Sequence, residues 1–193
     1  TAPINFADRS WFREVTTSRQ FAVGDYQFGR ISGKYVTVMA YPILSDAGQL
    51  QGIVTAGLNL DWLNQLLGRF ALPSDATLVV IDGQGIVLAR NPEPEKWVGQ
   101  TFPDWEILRT ALAQGSYGDT ETVGVDGVRR LYAVAPLKGV PEGTAYVALG
   151  IPVAAIKSRA NTALLHSLLL TALLLLLALS GAWFGVGALV QRD

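Results

Sequence analysis

The sequence has no cysteine and only one histidine among its 193 residues. The lack of cysteine excludes disulfide bonds, thiolate metal sites and cysteine nucleophiles. The one histidine, His166, lies in an apolar run near the C-terminal end, so the polar part of the chain offers no imidazole to a base, a haem or a zinc ion. We therefore expect no metal site and no cofactor.

An excess of either charge is also missing. The 15 basic and 16 acidic residues give a net charge of −1, and the basic residues are scattered, so nucleic-acid binding is not expected. The chain also contains no G-x-S-x-G stretch and no phosphate-binding P-loop. We therefore expect a protein that is not an enzyme.

A long hydrophobic run is present at the C-terminal end. Residues 162–190 contain no Lys, Arg, Asp or Glu, and a membrane core of about 30 Å needs roughly 20 apolar residues in a helix. We predict a juxtamembrane helix over 153–161 that continues into a single transmembrane helix over 162–190. The flanking residues Lys157, Arg159 and Arg192 leave its orientation open.

Two features of this predicted membrane helix bear on its contacts. Gly181 and Gly185 have the G-x-x-x-G spacing that lets two helices approach closely, although glycine is also frequent in membrane helices generally. His166 lies near one end of the span, where a role at the membrane interface or in a helix contact is expected. The lipid bilayer is the first partner that the sequence predicts.

Apolar runs broken by Gly, Pro and Asp turns predict an α/β (α+β) fold for residues 1–160. Three strand pairs are expected, in 34–60, 77–90 and 128–151. Helices are expected over 61–70 and over 104–115, the latter with Asp104 as its N-cap and Gly115 just past its end.

An internal repeat organises these elements. "VMAYPIL" is similar to "LYAVAPL", with Pro42 matching Pro136 at an offset of 94, and "NFADRSWFREV" aligns with "TFPDWEILRTA", so that Phe6 matches Phe102. Two copies of one module are the economical interpretation, over 1–73 and 74–152. The first copy has no counterpart of hairpin 77–90, so we expect either a piece of a longer protein or another element that covers the open sheet edge.

The stretches "DRSWF", "VGDYQFG", "SGKYVTVMAYPI", "GQLQGIVTAGLNLDWL" and "ATLVVIDGQGIVLARNPEPEKWVGQTF" resemble the double Cache family. This family comprises extracytoplasmic sensor domains of bacterial membrane receptors. The resemblance implies two PAS-like modules with antiparallel sheets, the first membrane-distal, and a periplasmic location on a single-pass protein of the inner membrane. It also implies a stalk helix and a first membrane helix ahead of residue 1.

The same resemblance implies a ligand site in the first module. In amino-acid-binding members an Arg-x-Trp-aromatic cluster holds the ligand, and here Arg9, Trp11 and Phe12 match it. The acidic position that would pair with the ligand's ammonium falls on Gly57, and a tyrosine expected shortly before the arginine is replaced by Ile4.

An unpaired buried ammonium is costly, so an α-amino acid is not the expected ligand. We expect a small carboxylate, or an uncharged molecule against Trp11, Tyr26 and Tyr41. The alternative is that Trp11 and Phe12 are core residues and that Arg9 pairs with Asp8 or Asp25.

Two hypotheses for function remain. One is a membrane-anchored sensor that binds a small molecule, as a homodimer or in a larger complex, and signals through its transmembrane helix. The other is a non-enzymatic accessory subunit of a membrane complex, since the chain given ends three residues past the predicted membrane helix.

In the second module, residues 91–100 are expected to form a solvated loop beside a pocket, and Glu93 and Glu95 are not expected to form a site.

Overall fold

The computed structural model of the chain describes residues 3–73, 75–113, 120–156 and 171. The chain divides into two compact units, Thr1–Pro152 and Val153–Asp193. Among the described residues no helix is long and apolar enough to cross a membrane. The predicted membrane helix over 162–190, with His166, Gly181 and Gly185, lies outside the described residues except for Thr171. Residues 153–156 of the second unit are helical.

The first sheet is built around one long hairpin. Its elements are α1 (Ser10–Ser18), β1 (Ala22–Val23), β2 (Gln27–Phe28), β3 (Tyr35–Leu44), β4 (Leu50–Asn59) and the following α2 (Leu60–Leu67). β3 pairs with β4 along one edge and with the short β1 and β2 along the other, always antiparallel. The predicted strand pair 34–60 is thereby confirmed.

The second sheet has five antiparallel strands. Its elements are β5 (Thr77–Asp82), β6 (Val87–Asn91), α3 (Pro94–Trp97), α4 (Trp105–Ala113), β7 (Thr120–Val123), β8 (Arg129–Pro136) and β9 (Ala145–Pro152). The spatial order is β6-β5-β9-β8-β7. The α+β class with antiparallel sheets is therefore confirmed.

The long hairpins of the two sheets share one register. Val38 lies opposite Gly57 in the β3–β4 pair, and Tyr132 lies opposite Gly150 in the β8–β9 pair. These four residues occupy matching places in the aligned halves of the sequence. β9 also pairs with β5, whereas β4 pairs, within the described residues, only with β3. The division into modules at residue 73 stays a prediction, because both sheets fall in one compact unit.

α1, α2 and α4 each bury an apolar stripe against a sheet. α1 places Trp11 and Val15 on Ala22 and Ala40 of the first sheet. α4 places Trp105 and Leu108 on one face of the second sheet, in a cluster with Val79, Ile81, Val87, Phe102, Tyr132, Val134 and Ala148. α2 packs on the opposite face of the second sheet, through Leu60 and Leu67 against Val80, Leu88 and Ala89.

Hydrogen bonds join α2 and the first sheet to the second sheet. Asn64 Oδ1 accepts from the backbone N–H of Arg90 at 2.9 Å, and Asn91 Nδ2 donates to the Leu67 carbonyl at 3.1 Å. The backbone N–H of Tyr26 lies 3.4 Å from Asp82 Oδ2. Burial of Asp82 raises the pKa of its carboxyl, against the opposing effect of backbone N–H donors that include Tyr26.

Three expectations need correction. The helix expected to reach residue 70 ends at Leu67, and Phe70 is exposed. Asp104 precedes α4, but its φ of 54° is left-handed and its carboxylate accepts from Thr122 Oγ1 at 2.9 Å. The stretch 91–100 contains the one-turn helix α3, since Pro94 at its first turn is pre-set for a helix and the Glu93 carboxylate binds Lys96.

Replacing Asn64 by Ala should lower the free energy of unfolding by about 1–3 kcal/mol, because the Arg90 N–H loses its acceptor in a part-buried site. Gln65, the exposed neighbour on α2, provides the control, and Q65A should change stability by less than about 0.5 kcal/mol. Chemical denaturation followed by circular dichroism measures both. Equal stabilities of the two variants would contradict the role given to Asn64.

Candidate functional site

The start of α1 sets an aromatic cluster against the first sheet. Trp11 is 5% exposed, and its ring centroid lies 5.5 Å from that of Phe6 and 5.8 Å from that of Phe12. Arg9 is the N-cap residue of the helix, and its Nη2 donates to the Phe28 carbonyl at 3.1 Å. Arg9 is thereby bound to Phe28, the last residue of β2 and the residue before Gly29.

A cavity of about 310 Å³ lies beside this cluster and is here termed the first-sheet cavity. It is lined by α1, the β2–β3 turn and the hairpin β3–β4, through Phe6, Trp11, Gly29, Arg30, Ile31, Ser32, Lys34, Val36, Val38, Thr55, Gly57 and Asn59. The lining holds two cationic side chains, Arg30 and Lys34, and none of the residues lining it is an Asp or a Glu. Its size is at the small end for ligand pockets.

The two basic residues differ in how firmly they are held. Arg30 makes a bidentate pair with Asp8, at 2.8 and 2.7 Å, and also donates to the carbonyl of Asn5. The hydrogen bonds from Arg30 hold the pKa of the Asp8 carboxyl below its ordinary value. Lys34 Nζ lies 3.9 Å from Asp61 Oδ2, and its side chain is 57% exposed. Lys34, in this single long ion pair, is therefore held less firmly than Arg30.

The five predicted site residues do not form one site. Trp11 lines the first-sheet cavity, and with Phe12 it lines a neighbouring cavity of about 390 Å³. Arg9 does not line this cavity, and its Nη2 donates to the Phe28 carbonyl. Tyr26 and Tyr41 also lie outside the lining, and a ligand-binding role of the five residues stays a prediction.

Strand alternation explains the separation of Tyr41. Successive side chains of a strand point to opposite faces, and Val36 and Val38 face the cavity. Tyr41 has the other parity on β3 and is 63% exposed. Tyr26 stacks on Tyr35 at 5.0 Å, at a groove of about 500 Å³ that is bordered by α2 and α3.

Arg30 and Lys34 were missed in the sequence because they lie in the β2–β3 turn, where charged residues are ordinarily solvated. The signal available was a pair of basic residues flanking Gly33 in "GRISGKY". The alternative pairing of Arg9 with Asp8 is not found, because the hydrogen-bond partner of Asp8 is Arg30. Gly57 does line the cavity.

A cavity of about 600 Å³ offers little to a polar ligand. It is lined mostly by apolar side chains of α2 and of both sheets, among them Leu63, Leu66, Val80 and Val147. Its hydroxyl groups are used internally, since Thr37 donates to the Gly24 carbonyl and Thr144 to the Pro141 carbonyl. No group of three or more potential metal ligands occurs among the described residues.

The first sheet carries α1 on one face, and the first-sheet cavity is lined by residues of both. The family model of the Cache domain matches residues 1–160 of this chain. The chain therefore belongs to the Cache domain family, in its double form.

Individual relatives are similar to it in sequence or fold. The methyl-accepting chemotaxis protein McpA of Pseudomonas putida KT2440 is 27% identical over 146 residues, or 74% of this chain. The periplasmic sensory domain of the Campylobacter jejuni chemoreceptor Tlp1 has a TM-score of 0.60 at 14% identity over 76% of this chain. The ligand-binding domain of the Pseudomonas fluorescens chemoreceptor CtaA, solved with L-serine, has a TM-score of 0.54 at 22% identity over 79%.

The chain spans only part of each relative. It covers 22% of McpA, 56% of the Tlp1 domain and 64% of the CtaA domain. The two structures, at these identities, establish the fold that they share with this chain.

Replacing Trp11 by Ala should destabilise the protein by about 3–5 kcal/mol, because a large buried side chain leaves a void between α1 and the sheet. Trp62 on α2 is 51% exposed, so W62A is a matched control that should cost less than about 1 kcal/mol. Thermal and chemical unfolding measure the difference. Similar losses in both variants would contradict the packing described for Trp11.

Proposed function

We propose that this chain is the extracytoplasmic sensor part of a membrane receptor and binds a small organic carboxylate in the first-sheet cavity. It is a non-enzymatic, periplasmic ligand-binding module. Membership of the Cache family supports a sensor, and the chemoreceptors among its relatives support the location. The charge of the cavity lining is the single observation that carries the ligand class.

That lining matches a carboxylate in the sign of its charge. Lys34 supplies a cationic N–H donor, Arg30 adds a second cation whose guanidinium is paired with Asp8, and the hydroxyl of Ser32 and the amide of Asn59 add neutral polar groups. The rings of Phe6 and Trp11 would enclose the apolar part of the ligand. A pocket with a few polar groups on an apolar wall gives both affinity and orientation.

The same lining argues against an α-amino acid. The CtaA domain was solved with L-serine, whose ammonium needs an acceptor or a counter-charge. In this chain, Gly57 occupies the wall of the cavity where the family resemblance places an acidic residue. An ammonium enclosed beside Arg30 and Lys34 would meet like charges, so the cavity selects against zwitterions.

Signal output would use the strand that ends the sensor unit. β9 is the middle strand of the second sheet, and it ends at Pro152, where the first compact unit also ends. The predicted helix over 153–190 would pass a movement of this strand to the membrane, provided that the ligand binds two states with different affinities.

Acetate, pyruvate, lactate and succinate should be compared with L-serine by calorimetry on the purified chain. At least one carboxylate should bind, and the variants R30Q and K34Q should each weaken it about tenfold, since each removes a charge-assisted hydrogen bond. K96Q is the control, because Lys96 is an exposed residue of α3 outside the cavity lining. Unchanged affinity in both R30Q and K34Q would refute the site.

Replacing Gly57 by Asp should reverse the selectivity. A Cβ at this position would meet no atom closer than Val36 Cγ1 at 3.9 Å, so the side chain has room. The added carboxylate should weaken carboxylate binding about tenfold or more and give measurable binding of L-serine. A56D carries the same charge on the opposite face of β4 and should alter neither affinity. Carboxylate binding that G57D leaves intact would place the ligand elsewhere.

A further inference from the structure

In the second sheet, buried side chains occupy the place that corresponds to the first-sheet cavity. Because Tyr132 pairs with Gly150 as Val38 pairs with Gly57, these two pairs are structural counterparts. Arg130 lies two residues before Tyr132 on the same face of β8, as Val36 lies two residues before Val38 on β3, so Arg130 is the counterpart of Val36. Where β3 presents two valines, β8 therefore presents an arginine and a tyrosine.

The turns before these strands also correspond. The β2–β3 turn contains Gly33 with φ 64°, and the β7–β8 turn contains Gly127 with φ 74°, both in the left-handed region. The residues directly before these glycines are Ser32 and Asp126. Ser32 lines the first-sheet cavity, and Asp126 has the corresponding position in the turn of the second sheet.

The two places differ in free space. A Cβ built on Gly150 would lie 2.5 Å from Tyr132 Cε1 and 2.9 Å from Arg130 Cδ. The equivalent Cβ on Gly57 has its nearest neighbour at 3.9 Å. The space that is open beside β4 is thus filled beside β9 by the chain's own side chains.

Asp126 is bound there as a ligand carboxylate would be. Its Oδ1 accepts from Arg130 Nη1 at 2.6 Å, and its Oδ2 accepts from Arg130 Nη2 at 2.8 Å and from Arg90 Nη2 at 2.5 Å. Arg90 also donates to the Pro92 carbonyl and lies 5.4 Å from the ring centroid of Trp97. A bidentate arginine, a second arginine and an aromatic wall are the parts of a carboxylate site.

Burial makes this arrangement energetically important. The side chains of Arg90, Arg130 and Asp126 are 2%, 6% and 14% exposed. Burial alone would raise the pKa of Asp126, but the hydrogen bonds from Arg130 and the charges of both arginines outweigh it and hold the pKa below its ordinary value. Without Asp126, two buried guanidinium groups would face each other with no carboxylate between them.

We propose that the second sheet contains a carboxylate site occupied by the chain's own Asp126, and that a small external monocarboxylate takes this site when the Asp126 side chain is removed. The residues that hold the carboxylate are Arg90 and Arg130. In the wild-type chain this site is therefore already filled, and its occupation by Asp126 is independent of any ligand in the first-sheet cavity.

The test is rescue of Asp126→Ala by formate. The full chain in detergent micelles is heated in sodium formate and in sodium chloride of equal ionic strength at neutral pH, and unfolding of the sheets is followed by circular dichroism. D126A should melt below wild type in chloride, and formate should raise its Tm by about 4 °C more than it raises that of wild type. Wild type accounts for any formate bound in the first-sheet cavity.

Two further variants make the outcome decisive. The formate excess is the rise in Tm in formate beyond the rise seen for wild type. In D126A/R130M this excess should vanish, because the bidentate donor is gone. The control E106A removes the exposed partner of Arg109 and should show no excess. If D126A has no cooperative transition in chloride, its recovery in formate supports the proposal. The variant D126S, whose small polar side chain leaves room for formate between Arg90 and Arg130, is then measured in the same way. No formate excess in either D126A or D126S, or an excess that persists in D126A/R130M, overturns the proposal.

Discussion

The antiparallel register of the two long hairpins determines what each sheet can hold. In both, a glycine lies opposite the residue that points into the space beneath the helix, at Val38–Gly57 and at Tyr132–Gly150. The missing side chain leaves room on one strand, and the residue across from it decides whether that room stays open. With valine it becomes part of a cavity, and with tyrosine it is filled. One backbone arrangement thus yields two different interiors.

The two sheets are held together mainly by α2, whose leucines pack on Val80 and Leu88 while Asn64 bonds the backbone of Arg90. Arg90 belongs at the same time to the charged cluster around Asp126. Arg90 therefore contacts α2 through its backbone and binds the buried carboxylate of Asp126 through its side chain. This shared residue joins α2 and the buried carboxylate through one chain of contacts.

Local pattern was sufficient for most of the fold. Alternating apolar runs around Gly turns predicted the three strand pairs, and helical spacing and cap signals predicted α2 and α4, because these features depend on neighbours in sequence. Of the residues that line the first-sheet cavity, family resemblance had singled out Trp11 and Gly57. Tyr41 was grouped with Trp11, but it lies on the other face of β3, and its parity follows only from the register. The cluster around Asp126 joins β6, a turn and β8, and nothing local in the sequence indicates that they meet.

Arg130 lies opposite Pro152, the last residue of β9, in the β8–β9 pair. β9 therefore ends beside the buried ion pairs that Asp126 makes with Arg130 and Arg90. The interior of the second sheet is filled and its buried charges are paired, so it has less room to rearrange than the first sheet with its open cavity. Under the proposed function the first sheet is therefore the part that changes with the ligand, and the second sheet is the rigid part to which it is attached.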